Sequence, residues 1–351
     1  MACHCNDHME DSGLTPSFAI SAALETCVVT IIFVSMAEVS NSALFVKETP
    51  SAPAGSTAEV IQLTNLFYQK EHDIYQRLGD HPRILRHHGW DERGLLFDRH
   101  PAGDLLRHLL IQRDPSPSLA LRLRWACDIA EGLAYIHSKG VIWVDVNLHN
   151  SLLTRDQRVV LCDFAGSCML NLPGEERLPF EYNQSQISMG PLMHIPLLRL
   201  PHARIWEGPG SPYPHPDWNF TPHMDRFAFG VVLFCLITFH FPHSPFLVVV
   251  DPEEVKRIYQ LHQEACFDTL GEVAEYKDFE AIIQKCFQAR YHSTDDLLHD
   301  LEVAVSGMPA NAPLLQDGVK DPVVVEFDQR SSNRRLFPFP HEEDLDYYDA
   351  V

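Results

Sequence analysis

A chain of 351 residues with 45% hydrophobic content is long enough for one large domain or two lobes around a shared cleft, and that composition excludes disorder for most of its length. Its formal charge of -21 at pH 7 weighs against nucleic acid or an anionic membrane surface as the main partner, because phosphate arrays are bound by clusters of Lys and Arg. The nine cysteines are odd in number and scattered, and Cys127, Cys162, Cys235 and Cys286 lie inside apolar runs, the pattern of reduced thiols in a reducing, cytoplasmic compartment.

Residues 1–26 read as an N-terminal extension. Its opening, MACHCNDH, groups Cys3, Cys5 and His8, a set able to take up a metal, although no second cluster at zinc spacing follows. Residues 18–37 are the one candidate membrane anchor; Glu25 and several Ser and Thr residues interrupt them, and the competing reading is a buried strand, CVVTIIFV. NSALFVK forms a second short apolar run ending at Lys47. After the turn TPSAPAGS, the residues Val60, Leu63, Phe67, Ile74 and Leu78 recur at helical spacing as far as Gly79, which predicts a helix of about five turns. HPRILRHHGW and GLLFDRH predict a strand pair joined by the turn DERG.

From PAGDLLRHLL onward helical patterns take over, in SLALRLRWACDIAEGLAYIHSKG, DRFAFGVVLFCLITF, PEEVKRIYQLHQEA, FEAIIQKCFQARY and STDDLLHDLEVAV. A small strand-rich lobe, residues 27–100, thus precedes a larger helical lobe, residues 101–305, in an α+β, bilobal architecture. Between Phe164 and Asp225 the sequence is rich in Pro, Gly and His and shows no periodicity, and residues 306–351 run into Pro-rich and then acidic sequence that predicts a disordered tail.

Asp145 stands between Val144 and Val146, where a loop aspartate would have polar turn formers as neighbours. Asn150 follows it in VDVNLHN, and after the turn RDQR the run VVLCDF delivers Asp163. A tight hairpin of this kind can set an amide oxygen and a carboxylate beside a hard cation and leave the first aspartate to face a substrate hydroxyl, the arrangement of magnesium-assisted phosphoryl transfer.

With Lys47, Glu71, DVNLHN, CDFAGS and DRFAFG in this order, the chain resembles the protein kinases across residues 27–305, and more narrowly a group of fungal kinase-like proteins that carry Asp-Phe-Ala-Gly-Ser after the catalytic loop. The resemblance implies ATP and Mg2+ as cofactors, a protein substrate of the Ser/Thr class, and a monomer. By the same resemblance Lys47 contacts the ATP phosphates, Glu71 is its helix partner, Asp145 is the substrate-orienting base, and Asn150 and Asp163 are magnesium ligands. Phe97 takes the gatekeeper position, Asp98, Arg99 and His100 form the adenine-binding hinge, and Asp225 braces the catalytic loop. These residues are expected to converge on one cleft, with Lys47 and Glu71 within ion-pair reach.

Several positions depart from the pattern. No glycine occurs between Gly13 and Gly55, so the turn that would cover the phosphates is VSMAEV, whose side chains keep an anion farther from the backbone N–H groups. Trp143 stands in the place of the loop histidine, where its indole is expected to pack beside Phe164, and Val144 in that of the arginine. Asn147 replaces a lysine that many Ser/Thr kinases keep near the transferring phosphate, and Ala165 follows Asp-Phe in place of Gly. Beside an active protein kinase, a pseudokinase serving as a binding module and a small-molecule phosphotransferase of the aminoglycoside-kinase type therefore remain as readings.

Overall fold

The computed structural model describes residues 36–37, 43–48, 58–100, 102–111, 116–172, 221–249, 252–263 and 265–309. The strand 27–34 expected from CVVTIIFV, the metal-binding group Cys3, Cys5 and His8, and most of the tail lie outside these residues.

The chain begins with β1 (Met36–Ala37) and β2 (Leu44–Glu48), followed by the helix α1 (Ala58–Leu78) and by β3 (His87–Trp90) and β4 (Gly94–Asp98). These strands form one antiparallel sheet in the order β1-β2-β4-β3, with Lys47 opposite Leu95 and Phe45 opposite Phe97. The DERG turn closes as its composition predicts: Asp91 accepts from the N–H groups of Arg93 and Gly94 and donates its own to Gly94 O. A Cβ on Gly94 would meet Lys47 O at 2.0 Å, so glycine is what lets β4 begin this close to β2. Helix α1 ends at Gly79, whose φ of 63° suits a residue without a Cβ, and its buried Ile74, Tyr75 and Leu78 face the core.

The strand expected from HPRILRHHGW is shorter than predicted. The strand opposite β4 is His87–Trp90, extended by the bond from Asp98 N–H to the Arg86 carbonyl, whereas Ile84 makes a parallel bridge to Leu161 in a different sheet. Leu161 N–H donates to Arg83 O at 2.8 Å and Leu85 N–H to Leu161 O at 2.9 Å. The cause is the buried Arg83, which reaches the carboxylates of Asp128 and Glu131 and the carbonyl of Val159 and so draws this stretch away from β3.

The helical part starts with α2 (Leu105–Ile111) and α3 (Leu119–Ser138), then short strands β5 (Val141–Ile142), β6 (Ser151–Leu153), β7 (Val159–Leu161) and β8 (Cys168–Met169). Four helices complete it: α4 (Pro222–Thr238), α5 (Pro252–Gln263), α6 (Lys277–Phe287) and α7 (Thr294–Gly307). Each of the long helical patterns read from the sequence corresponds to one of these helices. β6 and β7 form the predicted hairpin; β8, inside the stretch without periodicity, pairs with β5, and a two-residue strand is too short to leave a pattern.

Helix α4 is buried on every side from Asp225 to Thr238, as expected of a helix that is apolar all round, and lies between α3 and α6. Pro222 occupies its first turn, where no N–H is needed. At Gly230 a Cβ would come within 2.7 Å of the Cys286 Cβ, which sets how closely α4 and α6 approach. The buried Arg122 of α3 donates to the carbonyls of Leu236 and Ile237 at the other end of α4 and lies 4.0 Å from the centre of the Phe239 ring.

Candidate active site

The cleft between the sheet and the helical part is lined from above by β2 and α1 and from below by the loops around β6 and β7. Lys47, on β2, reaches both ways: its Nζ lies 2.9 and 2.8 Å from the two carboxylate oxygens of Glu71 and 2.9 Å from Asp163 Oδ1. Glu71 comes from the inward face of α1 and its side chain is only 1% exposed, whereas that of Asp163 is 46% exposed.

The ionisation of the three groups is set by this geometry. Burial opposes a charge on Lys47, but Asp163 and Glu71 outweigh it and hold its ammonium pKa well above the ordinary lysine value. Burial raises the Glu71 carboxyl above the usual range, with Lys47 acting against it. For Asp163 burial pulls upward, and the charge and hydrogen bond of Lys47 prevail, leaving its pKa below the usual carboxylate value. One ammonium thus faces two carboxylates, and the cluster carries one negative charge too many. A hard cation with oxygen ligands fits that deficit.

Below the cleft, Asp145 sits in a loop held by two asparagines. Asn147 Nδ2 donates to Asp145 Oδ1 at 2.9 Å and Asn150 Nδ2 to Asp145 Oδ2 at 2.9 Å, each also bonding the Asp145 carbonyl at 3.1 Å. The Asn147 amide oxygen accepts the N–H groups of His149 and Asn150, both at 2.8 Å, so this residue closes the loop on itself. Its sequence position suggested only a lost lysine; the asparagine supplies an organiser in its place. The Asn150 carbonyl accepts Cys162 N–H at 3.0 Å, which ties the loop to the strand leading into Asp163.

The fully buried Asp225 braces this loop from α4. Its carboxylate accepts Trp143 N–H and Val144 N–H, each at 2.7 Å, and His137 Nε2 lies 2.8 Å away. Val144 has a φ of 71°, a conformation that a β-branched residue adopts only under constraint, and the two bonds to Asp225 supply it. Val144 packs in a small apolar cluster with Ile142, Cys168 and the partly buried Met224.

Trp143 is entirely buried, and its ring lies 5.9 Å from Phe164, as expected. A column of rings continues upward: Phe164 meets Tyr75 of α1 edge-on at 5.0 Å, and Tyr75 stacks on His87 of β3 at 5.3 Å. Phe97 is 1% exposed at the back of the cleft, 4.9 Å from Tyr75 and 5.3 Å from Phe45. Asp98 follows with its carboxylate 2.6 Å from His88 Nε2, Arg99 donates its N–H to Ala43 O at 2.8 Å, and the His100 carbonyl accepts Gly103 N–H at 3.1 Å, so this segment leads from β4 into α2.

Two features escaped the sequence reading. Asp104 caps α2 by accepting Arg107 N–H at 2.8 Å and lies 3.2 Å from His149 Nδ1, which joins the connecting segment to the loop of Asp145. Asp128, 1% exposed, receives Arg158 and the N–H of Val159 and lies 3.4 Å from Arg83 Nη1, fixing β7, which ends two residues before Asp163. Neither aspartate stands in a local motif.

Residues 56–176 match the protein tyrosine and serine/threonine kinase family, a span that takes in Glu71, Asp145, Asn150 and Asp163 and leaves out Lys47. LIM domain kinase 1 of Drosophila melanogaster is 28% identical over 174 residues, covering 45% of this chain and 14% of that protein. A serine/threonine/tyrosine-protein kinase of Arabidopsis thaliana is 31% identical over 134 residues, covering 38% of this chain and 28% of its own length. The chain therefore spans well under a third of either relative. Its strand-rich part, helical part and ordered motifs agree with these matches, and over residues 56–176 the chain is similar to the protein kinases.

Proposed function

We propose that the chain is a protein kinase that transfers the γ-phosphate of ATP to Ser or Thr of a protein substrate. The observation that carries this reading is the placement of Lys47 between Glu71 and Asp163, with Asp145 held by Asn150 on the facing side of the cleft. In this reading Lys47 orients the phosphates, Asn150 and Asp163 hold magnesium through oxygen, and Asp145 accepts the proton of the attacking hydroxyl. The Asn150 amide group meets Asp145 through its nitrogen, and its oxygen accepts none of those bonds, which suits a cation ligand. Phe97 bounds the adenine pocket, and Asp98, Arg99 and His100 supply its backbone edge. Bound ATP would supply the transferable phosphoryl group, and Mg2+ held by Asn150 and Asp163 would supply the positive charge that offsets the excess carboxylate. The lobe boundaries at residues 27, 100 and 305, the monomeric state and a cytoplasmic location belong to the same proposal; among the described residues no helix is long and apolar enough to cross a membrane.

The experiment is phosphate transfer to a peptide array at saturating Mg-ATP, run beside Mg-ATP binding. Asp145→Ala is expected to lower transfer by about 10²–10⁴-fold with binding retained. Equal transfer by wild type and variant removes the catalytic assignment.

A specific observation favours a second reading. The absence of glycine from residue 14 to residue 54 leaves the phosphates without a close backbone cover, as in a pseudokinase that acts as a binding module. Binding of Mg-ATP without transfer selects that reading.

A further inference from the structure

The Trp143 indole does more than fill space beside Phe164. Its Nε1–H donates to two consecutive carbonyls, those of Cys162 at 3.1 Å and Asp163 at 3.2 Å. In an extended chain successive carbonyls point to opposite sides, so a single donor cannot serve neighbours. Asp163, however, has a φ of 60°, and one residue in this helix-like, left-handed conformation turns the carbonyls before and after it to the same side. Aspartate tolerates that conformation better than most residues but does not favour it.

We infer that Trp143 is a positioning residue whose indole N–H selects the left-handed Asp163, and thereby keeps the Asp163 carboxylate on Lys47 and Phe164 within the ring column. Were Asp163 to relax to an extended φ, the two carbonyls would diverge and one would lose its donor. Trp143 can impose this because it is itself fixed: its N–H is bonded to Asp225, and its carbonyl accepts Ser167 Oγ at 2.8 Å. Ser167 N–H in turn donates to Phe164 O at 3.0 Å, so the turn from Asp163 to Ser167 is held at both ends by one residue. The functional weight of the inference rests on Asp163 as the carboxylate that faces the nucleotide-bound cation; the clamp itself does not.

The test uses the full chain without nucleotide. By NMR, the Trp143 indole N–H is expected to exchange with solvent far more slowly than that of Trp90, which is 40% exposed. By mass spectrometry, Trp143→Phe, which keeps a ring and loses the donor, is expected to speed exchange of the amides from Phe164 to Ser167 by about tenfold or more, with β6 and β7 unchanged. Trp143→His restores part of the protection through its ring N–H. Rapid exchange of the wild-type indole overturns the inference, and that measurement stands even if a variant fails to fold. Unchanged protection in Trp143→Phe, or exchange that rises uniformly across the chain, overturns it as well. Calorimetry with Mg-ATP on the same samples keeps the two questions apart: a wild type that does not bind removes the catalytic reading, while the exchange data alone decide the clamp.

Discussion

Below the cleft, buried side chains hold the backbone around Asp145 and Asp163: Asp225 on the N–H groups of Trp143 and Val144, Asn147 on those of His149 and Asn150, Asp128 on that of Val159. Above the cleft, the sequence from residue 14 to residue 54 offers no glycine with which to wrap a phosphate. The difference separates two demands on such a site. Holding the Asp145 carboxylate in place takes buried polar networks in the helical part, whereas a close backbone cover over a nucleotide, on the function proposed above, would take glycines; this chain has the first and lacks the second over residues 14–54.

The largest effect is expected from removing a hub below the cleft. Asp128→Ala leaves two arginines and the Val159 N–H without their shared acceptor and should cost about 3–5 kcal/mol in urea unfolding. A loss under about 1 kcal/mol would place the stiffness of the lower half elsewhere. The contact between the halves comes next. Lys47→Met strands Glu71, 1% exposed, without a counter-charge and should destabilise by about 2–3 kcal/mol at pH 7, largely recovered by adding Glu71→Gln. Failure of that recovery would mean that Lys47 acts mainly through Asp163.

A third prediction asks whether the lower half is stable in acid. His262 is fully buried among Phe227, Phe267 and Phe287, neither ring nitrogen has a partner among the described residues, and burial lowers its pKa to about 4. The unfolded chain takes up this proton near pH 6.5 and the folded chain only near 4. Its contribution is therefore full above pH 6.5 and is lost as the pH falls from there to 4. Unfolding measured at pH 7 and pH 5 should show a loss of about 2 kcal/mol from this residue, absent in His262→Phe. An unchanged pH profile in the variant would assign the acid sensitivity to other groups.

The smallest expected effect concerns regulation. Where an activation-segment phosphate is read by an arginine before the catalytic aspartate, this chain has Val144 in an apolar cluster with Ile142 and Cys168. Phosphatase treatment of active protein should change turnover by less than about twofold. A large fall, reproduced by replacing one Ser or Thr between Ser167 and Asp225 with Ala, would show that another cation has taken over.

What the sequence disclosed follows from how far each signal extends along the chain. Helices α1, α3 and α4 are long enough for their apolar residues to repeat, and DVNLHN followed by CDF places three polar residues on one hairpin. The Arg83, Asp128 and Arg158 network could not be seen, because its members are dispersed over three elements and look like surface charges until folded. Trp143 was legible as a ring but not as a donor, since that role depends on the φ of Asp163, and β5 and β8 are too short for any periodicity.

The pairing of Arg83 and Leu85 with Leu161 also has a mechanical meaning. The strand-rich part is joined to the helical part once through the connection after Asp98, and a second time around the end of α1, where Tyr135 donates to the Leu78 carbonyl and the residues from Arg83 to Leu85 add to β7. A rotation of the strand-rich part about the line through these two attachments would open the cleft, resisted by the bond from Arg77 to the Leu170 carbonyl and by the contact of Tyr75 with Phe164. Lys47 and Glu71 both ride on the moving side, and Asp163 belongs to the stationary one. Along that rotation the Lys47–Glu71 pair travels intact, and the Lys47–Asp163 distance becomes the coordinate that measures how far the cleft has opened.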